Sequence, residues 1–136
     1  MAETIAFDLV APERLLFSEP AEMVVAPGEE GDFGILPGHA PFLSSLRPGT
    51  VTTYENGKPG RRFFVSGGFA EATPEQFTIL ANRALAADSV DMDALARERE
   101  TLVARKTADE AENRQASVQA MTREIAFIDM VTADLG

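Results

Sequence analysis

The chain has no cysteine, no tryptophan, one histidine and one tyrosine in 136 residues. Without cysteine there can be no disulfide, no thiolate metal site and no Cys nucleophile. His39 is the sole imidazole. That argues against a structural zinc site, which needs several nitrogen or sulfur ligands, and against a Ser-His-Asp triad, though one histidine can still serve as a base. Positive charge is also scarce. Twelve Lys and Arg stand against 22 Asp and Glu, a net charge of −10, which opposes nucleic acid and anionic lipid because both are bound through clustered basic side chains. Neutral or basic surfaces are the expected partners. No apolar run approaches the roughly 18 residues needed to cross a bilayer. The opening Met1-Ala2-Glu3-Thr4 lacks the basic and apolar regions of a secretory signal and the Arg-rich pattern of a transit sequence, so it reads as a mature, cytoplasmic start.

Glycine and proline are absent from Glu75 to Leu135, whereas all eight prolines and every glycine except Gly136 lie at or before Pro74. Turns therefore crowd the first part, and long helices fit the second. In the first part, Ile5, Phe7 and Leu9 alternate with Ala6, Asp8 and Val10, which is the period of a half-buried strand. Similar segments are Leu15–Phe17, Met23–Ala26, Phe42–Leu46, Val51–Tyr54, Arg61–Val65, Phe69–Ala72 and Phe77–Ala81. Asn56-Gly57 suits a hairpin turn with positive φ angles, in a loop that Pro59-Gly60 is expected to lengthen. Many short strands with no helix between them indicate an antiparallel sandwich or barrel.

In the second part, Met92, Leu95, Leu102 and Val103 share one side of a helix, with Asp91 as its N-cap and Arg105-Lys106 at its end. Thr107-Ala108-Asp109-Glu110 has the form of a capping box, so a second helix is expected from there, with Ala111, Val118, Met121, Ile125 and Ile128 as its seam. The predicted fold class is a β-sandwich N-terminal domain, residues 1–88, followed by a C-terminal antiparallel α-helical hairpin, residues 89–136, with the border near Ala86–Val90.

The densest chemistry lies in Gly28-Glu29-Glu30-Gly31-Asp32-Phe33-Gly34-Ile35-Leu36-Pro37-Gly38-His39-Ala40-Pro41. Three carboxylates near a histidine suggest acid–base work or a hard-cation site; the plainer reading is a glycine-flexed loop whose acids face water, and it is preferred. The stretch has neither the Gly-Lys-Ser/Thr of a phosphate-binding loop nor the G-x-G-x-x-G of a dinucleotide turn. In Phe63-Phe64-Val65-Ser66-Gly67-Gly68-Phe69-Ala70-Glu71 the serine lacks a nucleophile elbow, and Gly67-Gly68 reads as a bulge or tight bend between core strands.

Gly31-Asp32-Phe33-Gly34-Ile35-Leu36-Pro37-Gly38-His39-Ala40-Pro41-Phe42-Leu43, then Leu46-Arg47-Pro48-Gly49, then Val65-Ser66-Gly67-Gly68-Phe69-Ala70-Glu71 closely resemble the signature segments of F-type ATP synthase epsilon subunits of bacterial type. Phe7-Asp8-Leu9-Val10, Leu16-Phe17-Ser18 and the terminal helical pair agree in order, so the resemblance spans essentially the whole chain. It implies a non-catalytic subunit of the rotating central stalk, peripheral on the cytoplasmic face of the bacterial inner membrane. There the sandwich would bind the gamma subunit and the c ring, coupling proton transport to ATP synthesis. Glu29, Glu30 and Asp32 correspond to the family's acidic ring-facing loop, and His39 matches its loop histidine, expected to hold the loop by hydrogen bonding, with ring or gamma contact second. No cofactor or metal is expected.

Two rival functions stand beside this. Some family members fold their hairpin around ATP and inhibit hydrolysis through transient contact with alpha and beta subunits. They share an Ile/Leu-Asp-x-x-Arg-Ala segment, and here Val90-Asp91-Met92-Asp93-Ala94-Leu95 keeps the aspartate but has Ala94 for the arginine. Loss of that guanidinium, with Asp93 close by, implies poor ATP binding and weak regulation. A free-standing sandwich that binds carbohydrate is the other rival. It is opposed by the scarcity of Tyr and Trp and by phenylalanines that mostly fall at strand positions.

Overall fold

The computed structural model describes residues 3–136; the reading of Met1 and Ala2 as part of a mature start lies outside them. The chain forms two compact units, one ending at Ser89 and one running from Val90 to Gly136. The first is built from ten strands: β1 (Ile5–Ala11), β2 (Arg14–Ala21), β3 (Met23–Gly28), β4 (Gly31–Ile35), β5 (Phe42–Leu46), β6 (Gly49–Glu55), β7 (Lys58–Val65), β8 (Gly68–Ala72), β9 (Gln76–Ala81) and β10 (Ala84–Ala86). A 3-10 turn at Ala87–Ser89 closes the unit.

The strands run in the order β10-β7-β6-β3-β5-β8-β9-β1-β2, with β4 paired to β3. A single register pair, Gly28↔Leu46, joins β3 to β5, so the path behaves as two five-stranded sheets, β10-β7-β6-β3-β4 and β5-β8-β9-β1-β2, folded face to face. The core between them holds Ile5, Phe7, Leu9, Phe17, Val24, Ile35, Val51, Phe63, Phe77 and Ile79. Aromatic rings cross this interior. Phe17 of β2 meets Phe63 of β7 at 4.9 Å between centroids, and Phe33 of β4 meets Phe77 of β9 at 6.3 Å edge-on. Such tilted pairs add about 0.5–1.5 kcal/mol each beyond the burial of their area.

The expected strands all form, and three details differ from the sequence reading. Gly31–Ile35, expected within a loop, is β4: two glycines leave it little apolar pattern, yet it pairs with β3 from Val24↔Ile35 to Gly28↔Gly31. The β6–β7 hairpin is tight. Asn56 and Gly57, at φ 55° and 72°, are its whole loop between Glu55↔Lys58, and Pro59 and Gly60 lie inside β7. The register slips further along this pair, between Thr52 and Tyr54, where the buried Thr53 Oγ1 accepts the Arg61 N–H at 2.9 Å. Finally, the sandwich is not wholly antiparallel, because β1 lies parallel to β9. The bend at Gly67-Gly68 forms as expected. Gly68 takes φ 147°, and a Cβ there would lie 2.2 Å from the Leu80 carbonyl oxygen, so no side chain fits.

The second unit is a pair of helices, α1 (Met92–Ala111) and α2 (Gln115–Leu135). Asp91 caps α1, its side chain accepting the Ala94 N–H at 3.0 Å. The expected break at Thr107 does not occur: its hydroxyl donates to the Val103 carbonyl oxygen at 3.0 Å and α1 runs on past Arg105-Lys106. The break comes at Asn113, whose φ of 59° is left-handed. There the Asn113 N–H donates to Glu110 O at 3.2 Å and the Arg114 N–H to Asp109 O at 2.9 Å, which satisfies the last carbonyls of α1. Contacts of Ser117 with Asp109 near the turn and of Arg99 with Asp129 far from it make the helices antiparallel. Buried positions are Leu95 and Leu102 on α1, and Met121, Phe127, Ile128 and Val131 on α2. Of the expected seams, Val118 and Ile125 are half-buried, while Val103 and Ala111 are exposed, and Ala111 ends α1 rather than belonging to α2.

Candidate partner-binding site

The β3–β4 hairpin turns on Glu29 and Glu30 between Gly28 and Gly31. The turn is narrow because Gly28 is glycine: a Cβ there would sit 2.7 Å from the Gly31 carbonyl oxygen and 2.9 Å from the Phe33 ring. The Glu29 N–H donates to Ser45 O at 3.1 Å, tying the turn to β5. Both glutamates are exposed and, among the described residues, neither has an ion-pair partner. They border an open groove of ≈ 460 Å³ whose other wall includes Phe42, Leu43, Ser44 and Ser45.

Asp32 lines the same groove but, unlike the glutamates, is paired. It sits within β4, opposite Pro27 in β3, and its carboxylate accepts a hydrogen bond from the Arg47 guanidinium. The same guanidinium donates to Gly28 O. Sequence reasoning gave the three acids one role and missed Arg47, which lies 15 residues from Asp32 in the chain. His39 belongs to the β4–β5 connection. Its Nδ1–H donates to Ala40 O at 2.7 Å, and its ring meets Phe42 edge-on at 5.9 Å. It therefore adjoins the groove through Phe42, and no contact joins it to the acids among the described residues.

A second surface was missed in the sequence. Phe69↔Leu80, Leu80↔Val10 and Val10↔Leu15 are register pairs on consecutive strands β8, β9, β1 and β2. Their side chains form one apolar row across the outer face of that sheet, with Phe69 42%, Leu80 53% and Leu15 56% exposed and Leu43 of β5 nearby at 63%. The signal was present in the alternation. Phe69 shares its parity with Glu71, while the small Ala70 and Ala72 take the core side, so the large ring faces out.

In the helical unit, Arg99 grips Asp129 with two bonds, Nε to Oδ1 at 2.6 Å and a terminal nitrogen to Oδ2 at 3.3 Å. The hydrogen bond from Arg99 holds the Asp129 carboxyl below the usual range. Arg99 is thus engaged within its own hairpin, and Asp91 in its helix cap. The acids around the helix break divide between the two helices. Asp109 and Glu110 belong to α1, Glu112 caps it and pairs with Arg114 at 2.8 Å, and α2 itself carries Arg123 against Glu124, Asp129 and Asp134.

Residues 4–87 match the family of the ATP synthase delta/epsilon chain, β-sandwich domain. The chain is 58% identical over 95 residues to the ATP synthase epsilon chain of Rhodospirillum rubrum, covering 70% of this chain and 71% of that one. It is 51% identical over 113 residues to that of Parvibaculum lavamentivorans, covering 83% and 84%. With the epsilon chain of Rhodospirillum centenum it shares 39% over 134 residues, 97% and 88% of the two chains. Among solved structures, a chain in the cryo-EM structure of the Euglena gracilis mitochondrial ATP synthase, OSCP/F1/c-ring in rotational state 1, superposes with a TM-score of 0.72 at 24% identity, covering 98% of this chain and 82% of that one. The chain belongs to the ATP synthase delta/epsilon family, as an epsilon-type, non-catalytic subunit. Among the described residues, no helix is long and apolar enough to cross a membrane.

Proposed function

We propose that the sandwich, residues 1–88, joins the gamma subunit to the c ring in the rotating central stalk, on the cytoplasmic face of the bacterial inner membrane, and so couples proton flow to ATP synthesis. The observation that carries this is the row Leu15–Val10–Leu80–Phe69: a continuous apolar face on a chain of net charge −10 marks a protein partner. We assign this face to gamma. The acidic turn at Glu29-Glu30 suits a basic c-ring loop, where each rim charge adds roughly 0–1 kcal/mol but together they steer orientation. Asp32 and His39 act behind that contact, Asp32 through Arg47 and His39 by holding the β4–β5 connection.

Residues 89–136 serve as a weak regulator in this scheme. Ala94 offers no guanidinium to phosphate, Arg99 is committed to Asp129, and α2 presents more acid than base, which disfavours docking on acidic parts of alpha and beta. The test is affinity capture from detergent-solubilised membranes. The wild-type chain, and a chain ending at Asp88, should recover gamma and c; the pair Phe69→Glu and Leu80→Glu should lose both. Recovery of gamma by that pair would sink the assignment of the apolar face, and a several-fold rise in ATP hydrolysis without residues 89–136 would overturn the weak-regulator reading.

A further inference from the structure

Arg47 stands at the corner between β5 and β6. One terminal nitrogen of its guanidinium donates to Gly28 O at the end of β3, and the other to Asp32 Oδ1 on β4, so a single planar group spans both strands immediately behind the Glu29-Glu30 turn. Its own N–H donates to Pro27 O at 3.0 Å, beside the Glu29 N–H bond to Ser45 O and the lone Gly28↔Leu46 pair between β3 and β5. The acidic hairpin is therefore clamped to the β5–β6 corner at the one seam where the two sheets join. Lysine could not substitute, because an ammonium is a point charge without the rigid fork that reaches two acceptors.

With side chains 43% and 62% exposed, Arg47 and Asp32 form a pair that water screens, so its contribution to folding is small. Its effect is on direction and on charge. The clamp fixes the hairpin tip, and it cancels Asp32 while leaving Glu29 and Glu30 uncompensated.

We propose that Arg47 is the positioning residue of the acidic contact: it aims Glu29 and Glu30 at a basic partner surface and neutralises Asp32 beside them. The proposal rests on the reading of the acidic turn as the c-ring contact. It makes a prediction of opposite sign to a charge-only account. Removing Arg47 makes the hairpin more negative, which by charge alone tightens binding to a basic surface; loss of aim weakens it.

The experiment titrates purified c ring into the complex of this full-length chain with gamma, over a range of ionic strengths. Arg47→Gln is expected to bind roughly fivefold more weakly despite its added negative charge. Arg47→Lys, which keeps the charge, should not restore affinity. The double variant Arg47→Gln with Asp32→Asn, which removes both members of the neutral pair and so keeps the net charge, should keep the wild-type salt dependence, whereas Glu29→Gln with Glu30→Gln should flatten it, because only uncompensated charges are screened. Equal or tighter binding by Arg47→Gln, or full rescue by Arg47→Lys, overturns the proposal while leaving the acidic contact standing. Wild-type affinity and salt dependence in the double glutamate variant overturns the contact itself. If Arg47→Gln fails to fold, Arg47→Lys decides: wild-type affinity in that charge-conserving variant refutes the positioning role.

Discussion

The sandwich and the helical pair are stabilised by different means. In the sandwich, buried side chains come from all ten strands and from both sheets, and five of its nine strand pairings join strands that are not consecutive in sequence. In the helical unit, two helices of 20 and 21 residues bury only Leu95, Leu102, Met121, Phe127, Ile128 and Val131, and depend heavily on a cap, a left-handed turn and an exposed ion pair. Local devices of this kind open more easily than a packed interior. A firm platform joined to a readily loosened hairpin is what a stalk subunit needs if one part carries torque and the other responds to conditions.

That contrast breaks most visibly in the core. Phe77→Ala removes a fully buried ring in contact with Phe7 and Phe33, and should cost about 3–5 kcal/mol in denaturant unfolding of the sandwich. Gly68→Ala, which forces a Cβ against Leu80 O, should cost at least about 2 kcal/mol by the same measurement. If helix melting followed by circular dichroism shifts as much as the sandwich transition in these variants, the two units are not energetically distinct.

At the helical end the effects shrink. Asp91→Ala deletes the cap of α1 and should cost about 1 kcal/mol, read as fraying of the α1 N-terminus in amide exchange with the sandwich amides unmoved. The smallest effect is acid sensitivity. Because Arg99 lowers the folded-state pKa of Asp129 below its unfolded value, the pair stabilises the hairpin fully above the ordinary carboxylate range. The contribution is lost as pH falls below about 4 and through that lowered pKa. Asp129→Asn should abolish this increment, and added salt should weaken it since both groups are exposed. An Asp129→Asn hairpin that retains the wild-type acid profile would remove the pair from the account.

How much was legible in the sequence follows the same division. Strands with clean alternation, such as β1 and β9, and the Asn56-Gly57 turn announce themselves because period and turn chemistry are local. β4 was hidden because Gly31 and Gly34 erase its pattern; its strand character comes from β3, not from its own residues. The helix break was misplaced because Thr107 and Glu110 imitate a capping box, whereas inside a continuing helix a threonine hydroxyl bonds back to the preceding turn. Asn113, a residue tolerant of left-handed φ, was the better signal. At the site, the acids and His39 were visible as a cluster. The clamp from Arg47 and the apolar row were not, since both are made by strands brought together only in the folded sandwich.

The parallel pairing of β1 with β9 sets a timetable for synthesis. β1 can form its hairpin with β2 as soon as Ala21 has emerged, but its other edge waits for Gln76–Ala81. At a translation rate of about 5–20 residues per second, that delay is on the order of several seconds. Through that interval Ile5, Phe7 and Leu9, all destined for full burial, lie on a two-stranded ribbon with one open edge. The nascent chain is therefore most open to aggregation and to chaperone capture before residue 81 leaves the ribosome.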